Sequence, residues 1–107
     1  MAKKKTKEKP APTQKELFNQ RVRENIAEIN EELLIADGFD DAIIGVSEDG
    51  NHVVYDSGKM VGILVERDGM TYEEAREFLE FNTFCAYVGE HTPQYVDRSV
   101  VEMANED

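Results

Sequence analysis

Apolar positions recur with two different periods along this chain, and the change of period divides it into elements. Phe18, Val22, Ile26, Ile29 and Leu33 follow one another at intervals of four, four, three and four. That spacing gathers side chains into one stripe of an amphipathic helix. Ahead of it, Thr13-Gln14-Lys15-Glu16 fits a capping box, in which the Thr13 hydroxyl accepts from the Glu16 amide and Glu16 reaches back. The pattern predicts a helix from Thr13 to about Ile35, stopped at Asp37-Gly38 with Gly38 in the left-handed conformation. Arg21, Arg23, Glu24, Glu28, Glu31 and Glu32 fall on the opposite face. The heptad-like spacing would also suit a two-helix seam in a homodimer, although it covers fewer than three heptads.

Between residues 40 and 56 the runs become short and rich in β-branched residues. Ala42 to Val46 and Val53-Val54-Tyr55 flank Glu48-Asp49-Gly50-Asn51, the signature of a β-hairpin. With Asp49-Gly50 as a two-residue turn, Val46 faces Val53 and Ile44 faces Tyr55 on the core side. Gly45, Ser47, His52 and Val54 take the other side. A lone hairpin is marginal in water, so it must pack on helices.

A second helix is predicted from about Ser57 to Arg67, capped by Asp56 or Ser57 and ended by Asp68-Gly69, with Met60, Val61, Ile63 and Leu64 as its apolar face. Thr71-Tyr72-Glu73-Glu74 is a second capping box. It opens a third helix with Ala75, Phe78, Leu79 and Asn82 on one face, continuing through Cys85 to Val88 and stopped by Gly89. After Thr92-Pro93, the residues Tyr95, Val96, Val100 and Val101 supply a short third strand. The expected fold is therefore a small α+β domain over residues 13–101: an N-terminal helix, a β-hairpin, two further helices and a short C-terminal strand. Residues 1–12 read as a disordered basic tail and 102–107 as a frayed acidic end. The expected core is Phe18, Val22, Ile26, Ile29, Leu33, Ile44, Val46, Val53, Ile63, Leu64, Phe78 and Leu79.

Charge sharpens this picture. The 107 residues hold 23 Asp and Glu against 12 Lys and Arg, a formal net charge of −11. The first ten carry five lysines and one acid, so a +4 arm precedes a −15 body. Such a body cannot wrap nucleic acid by neutralising phosphates, and an anionic membrane surface would repel it. No apolar run is long enough to span a bilayer, and the lysine-rich start runs into Pro10-Ala11-Pro12 instead of an apolar stretch, unlike a secretory signal. The single cysteine, Cys85, suits a reducing compartment.

Motifs for chemistry are sparse. Asp37, Asp40, Asp41 and Asp56 offer oxygen ligands without the alternation of a calcium loop; Asp37 is better read as a helix stop and Asp56 as a cap. Cys85 with His52 or His91 has the residue types of a thiol nucleophile and base. Its neighbours Phe84, Ala86, Tyr87 and Val88, however, favour a buried, inert thiol. Neither phosphate-cradling loop nor zinc motif is present, so the expectation is a non-enzymatic protein with no metal and no cofactor.

The stretches ADGFDDAIIGV (36–46), ILVERDGMTYEEAREFLEFN (63–82) and AYVGEHTPQYV (86–96), with VVYD (53–56) between the first two, resemble a family of small, mostly uncharacterised bacteriophage and prophage proteins. The resemblance implies a compact αββαα-type domain of phage origin and brings no catalytic residues. The basic start and the segment after Val96 depart from that pattern. Set beside the charge, it implies the cytoplasm of an infected or lysogenic bacterium and a basic protein surface of host or phage as partner, with a role such as inhibitor or antidefence factor. Glu24, Glu28, Glu31, Glu32, Glu77 and Glu80 are the acids without a local structural job and the expected contacts. Tyr72, Phe81 and Tyr87 are the expected aromatic anchors. The alternative is a nucleic-acid-associated accessory protein using Lys3, Lys4, Lys5, Lys7 and Lys9 as an electrostatic arm.

Overall fold

Both capping boxes form as their sequences require. In the computed structural model, which describes residues 10–105, Thr13 Oγ1 accepts from the Glu16 amide at 3.1 Å and Glu16 Oε1 from the Thr13 amide at 2.9 Å, opening α1 (Gln14–Ile29). Thr71 and Glu74 repeat this reciprocal pair at the same distances at the start of α3 (Tyr72–Leu79). Between them lie β1 (Ile43–Val46), β2 (Val53–Asp56) and α2 (Ser57–Asp68), and after them β3 (Gln94–Val96) and the short α4 (Ser99–Glu102). The strands form one mixed sheet in the order β1-β2-β3, antiparallel on the first side and parallel on the second. The architecture is the expected α+β one, with α2 and α3 as the crossover that a parallel β2–β3 pair requires. Residues 1–9, with the five lysines of the arm, lie outside the described residues.

The first helix ends six residues earlier than its hydrophobic stripe predicts. Asn30 leaves the helix in an extended conformation, and its side-chain oxygen accepts from the Glu32 amide at 3.0 Å. Asparagine competes with the helix for backbone hydrogen bonds in this way. The turn that follows carries Leu33 into the core separately, while Phe18 and Ile29 stay 58% and 57% exposed. Asp37 therefore does not stop the helix; together with Asp40 it receives Arg23, which donates to Asp40 at 2.6 and 2.9 Å and reaches Asp37 at 3.5 Å. Asp41 accepts from Asn19 and pairs with Lys15, so α1 is stitched to the 3-10 turn Asp40–Ala42 by side chains. The Asn19 bond, and after it Lys15, holds the Asp41 carboxyl below its usual range.

The hairpin is also built differently from expectation. Among the described residues only glycines have positive φ, and in this turn only Gly50 does, so a turn needing positive φ at Asp49 as well is not made. Instead Ser47 closes on His52 across a four-residue loop, and Asp49 accepts from the Ser47 hydroxyl and the Asn51 amide. Val46 does face Val53, but a register shift between Ile43 and Gly45 puts Ile43, not Ile44, opposite Tyr55. Ile44 is left at the bulge with its side chain exposed.

At the centre Val53, Tyr55, Met60, Leu64, Ala75 and Leu79 are almost wholly buried, with Ile26, Leu33, Phe39, Ala42 and Val61 around them. Of the expected core, Val22, Val46 and Ile63 only pack against this cluster, and Phe18, Ile29, Ile44 and Phe78 are exposed. Phe39 enters because Arg67 covers it, its guanidinium 5.5 Å from the ring centre while donating to the Gly38 carbonyl at 2.9 Å. Asp56 caps α2 by accepting from the Lys59 amide, and Gly69, at φ +72°, ends it.

Tyr55 gives the fold an alkaline limit. Its ring is buried and its hydroxyl accepts from the Ala36 amide at 2.7 Å; burial pushes the phenol from 10.0 up to about 12. The folded state thus prefers the neutral phenol. Its contribution is present in full below pH 10, the ordinary value, and is lost as pH rises through about 12. Urea unfolding midpoints are expected to fall over that interval, and to fall less in Tyr55→Phe.

Candidate functional site

The third helix divides sharply into an inner and an outer side. Ala75 and Leu79 point into the core. At 100° per residue, Glu73, Glu77 and Glu80 then face outward, with Glu74, Phe78 and Phe81 beside them. Thr71 starts the helix and places Glu73 and Glu74 in its first turn, where the helix dipole favours negative charge. Glu74 is partly engaged by its cap, and Glu80 pairs with Arg76 at 3.4 Å. Among the described residues Glu73 and Glu77 make no ion pair.

The helix does not continue to Val88. It widens into a π turn, Glu80–Phe84, and ends at Cys85. An i→i+5 turn takes an extra residue to come round, so Phe84 follows Leu79 towards the inner side. There it packs against Tyr95 at 5.0 Å between ring centres, the rings tilted by 50°, and Tyr95 lies 5.9 Å from Tyr55. Phe81, within the same turn, is 80% exposed. Met70, Glu74, Glu77, Phe78, Phe81 and Asn82 line a groove of about 460 Å³. It is an apolar floor edged by carboxylates.

Of the expected contact residues, this groove brings together Glu77 and Phe81. Tyr72, nine residues before Phe81, faces the other side of the helix and is exposed. Glu80 is turned to Arg76, and Tyr87 is exposed in the chain beyond the π turn. Glu24 and Glu28 lie on the outer side of α1, with Glu31 and Glu32 in the turn after it; Glu32 approaches His91 Nε2 at 3.6 Å. None of these four lines the groove. Met70, Glu74, Phe78 and Asn82 join the site through the structure and are not among the contacts the sequence points to. A second stripe, 74-77-78-81-82, was nevertheless readable at helical spacing.

The remaining chemical candidates resolve into local contacts. Cys85 is exposed, not buried: the helix ends there, and of its apolar neighbours only Phe84 packs against the core, while Ala86, Tyr87 and Val88 are exposed as well. His52 and His91 are each engaged by a backbone carbonyl, of Thr92 and Asn51 respectively. Asp37, Asp40 and Asp41 face Arg23, Asn19 and Lys15, while Asp56 caps α2 and lies 3.9 Å from Arg98. Among the described residues no three His, Cys, Asp or Glu side chains gather as a metal ion would need, and no helix is long and apolar enough to cross a membrane. No family model, curated protein or solved structure matches the chain.

Proposed function

We propose that this is a non-enzymatic interaction protein that docks a basic protein surface through the outer side of α3. The observation that carries the reading is the groove itself, where two phenylalanines, 42% and 80% exposed, sit among Glu74 and Glu77. Phe81, the more exposed of the two, leaves its ring facing water in the free protein and is not part of its core. Such residues are typical anchors at protein interfaces. Glu73 and Glu77 supply attraction to a cationic partner, on a body whose net charge of −15 steers encounter with any basic surface. The resemblance to phage proteins makes a host or phage protein the natural partner, and an inhibitor or antidefence factor the natural role.

The test is affinity capture from a bacterial lysate with the full chain, Phe81→Ala and Glu77→Lys side by side. A partner should be held at low salt and released as ionic strength rises. Phe81→Ala should weaken its affinity about 30-fold, as loss of an aromatic hot spot does, and Glu77→Lys should slow association. Circular dichroism should be unchanged in both, since neither side chain is in the core. Capture of the same proteins by all three chains would overturn the proposal.

A further inference from the structure

Two histidines tie the loop after α3 to the tip of the hairpin. His52 Nδ1 lies 2.7 Å from the Thr92 carbonyl oxygen, and His91 Nδ1 lies 3.1 Å from that of Asn51. Facing carbonyls, both Nδ1 atoms carry the hydrogen and donate. Thr92 stiffens the loop from within, its Oγ1 accepting from the Val88 amide at 2.9 Å and donating to the Gly89 carbonyl.

The two rings differ at Nε2. The His91 side chain is only 14% exposed, and its Nε2 faces Glu32 Oε1 at 3.6 Å and Glu90 Oε2 at 3.7 Å. The first carboxylate comes from the turn after α1 and the second from the loop itself. From the hairpin tip the facing group is the Asn51 carbonyl. Behind it Asp49 stays ionised, held below its usual range by the Ser47 hydroxyl and the Asn51 amide. His52 is the neighbouring titratable group on β2's approach, engaged with Thr92. A neutral His91 therefore turns a lone pair towards two carboxylates, and a protonated one turns an N–H of positive charge towards them.

We propose that His91 is a pH-operated latch. Protonated, it joins three segments: the hairpin tip through Asn51, the turn after α1 through Glu32, and its own loop through Glu90. Neutral, it keeps only the bond to Asn51. The latch has something to hold, because Leu34, Ile35 and Ala36, from the segment after Glu32, and Val88, Thr92 and Pro93, from the loop that carries His91, line the same open groove of about 370 Å³. Glu32 lies just ahead of the first of these segments in the chain and His91 within the second, so their attraction draws the two sides of the groove's lining together.

Amide hydrogen exchange on the full chain tests this at about pH 5.5 and about pH 7.5, referenced to intrinsic rates. Protection at Val88 and Thr92 is expected to rise about 2- to 5-fold at the lower pH, the size of a weak ion pair, while α2 amides do not change. His91→Gln should abolish the rise. The double substitution Glu32→Gln with Glu90→Gln should do the same while retaining the imidazole and its bond to Asn51, which covers the case that His91→Gln loosens the fold. His52→Gln should keep it. A wild-type chain with no pH-dependent protection, or a rise that survives removal of both carboxylates, overturns the latch.

Discussion

Tyr55→Ala is expected to cost about 3–5 kcal/mol of folding stability, the range for emptying a buried aromatic site. A domain of this length has only about 5–15 kcal/mol in total, so much of the population would unfold under mild denaturant. Tyr55 occupies the middle strand, opposite Ile43 on one side and Tyr95 on the other. It is fully buried, and its hydroxyl satisfies the Ala36 amide. Truncation therefore removes the ring that joins both halves of the sheet and also orphans a backbone donor. Tyr55→Phe separates the two losses: the volume is kept, and loss of the bond to the half-buried Ala36 amide alone should cost about 0.5–1.5 kcal/mol. Urea titration of the two variants, followed by circular dichroism, reads both. A Tyr55→Ala penalty under about 1 kcal/mol, below the range for even a modest cavity, would mean that this ring does not hold the sheet.

Tyr55 is held by partners far away in the chain, whereas other parts of the fold are determined by neighbouring residues alone. Some local starts and stops are legible: two capping boxes, the Asp56 cap and the Gly69 stop form as read, because each needs only residues within one turn, whereas the helices expected to stop at Gly38 and Gly89 end earlier, at Asn30 and Cys85. Failures came where a distant partner or a competing side chain decided. Asn30 broke a stripe that continued in sequence to Leu33. Arg67, twenty-eight residues away in the chain, made Phe39 a core residue. The bulge at Ile44 moved one expected core side chain to the surface, since a single inserted residue reverses the faces of a strand. In the candidate site, Phe81 was legible as an anchor and Glu77 as a contact. Phe78 reads as a core residue in sequence because Ala75-Phe78-Leu79 is as good a helical stripe as Glu77-Phe78-Phe81. Only the packing of Ala75 and Leu79 against α2 decides between them.

That decision is directly measurable on one helix. Leu79→Ala is expected to cost about 2–5 kcal/mol, the range for a fully packed aliphatic side chain, because Leu79 is wholly buried with Ala75 on the inner side of α3. It also precedes the π turn, so its loss loosens the platform from which Phe84 reaches Tyr95. Phe81→Ala, two residues on, should change stability by no more than about 0.5 kcal/mol, as an exposed substitution does, despite removing a larger side chain. Phe78→Ala should fall between them, its ring being partly covered in the groove. The ordering follows burial rather than residue size, and urea midpoints of the three variants give it directly. A Phe81→Ala penalty comparable to that of Leu79→Ala would place Phe81 in the fold and remove it from the docking surface. The expected order leaves Phe81 without a structural duty, which is the condition for its serving a partner.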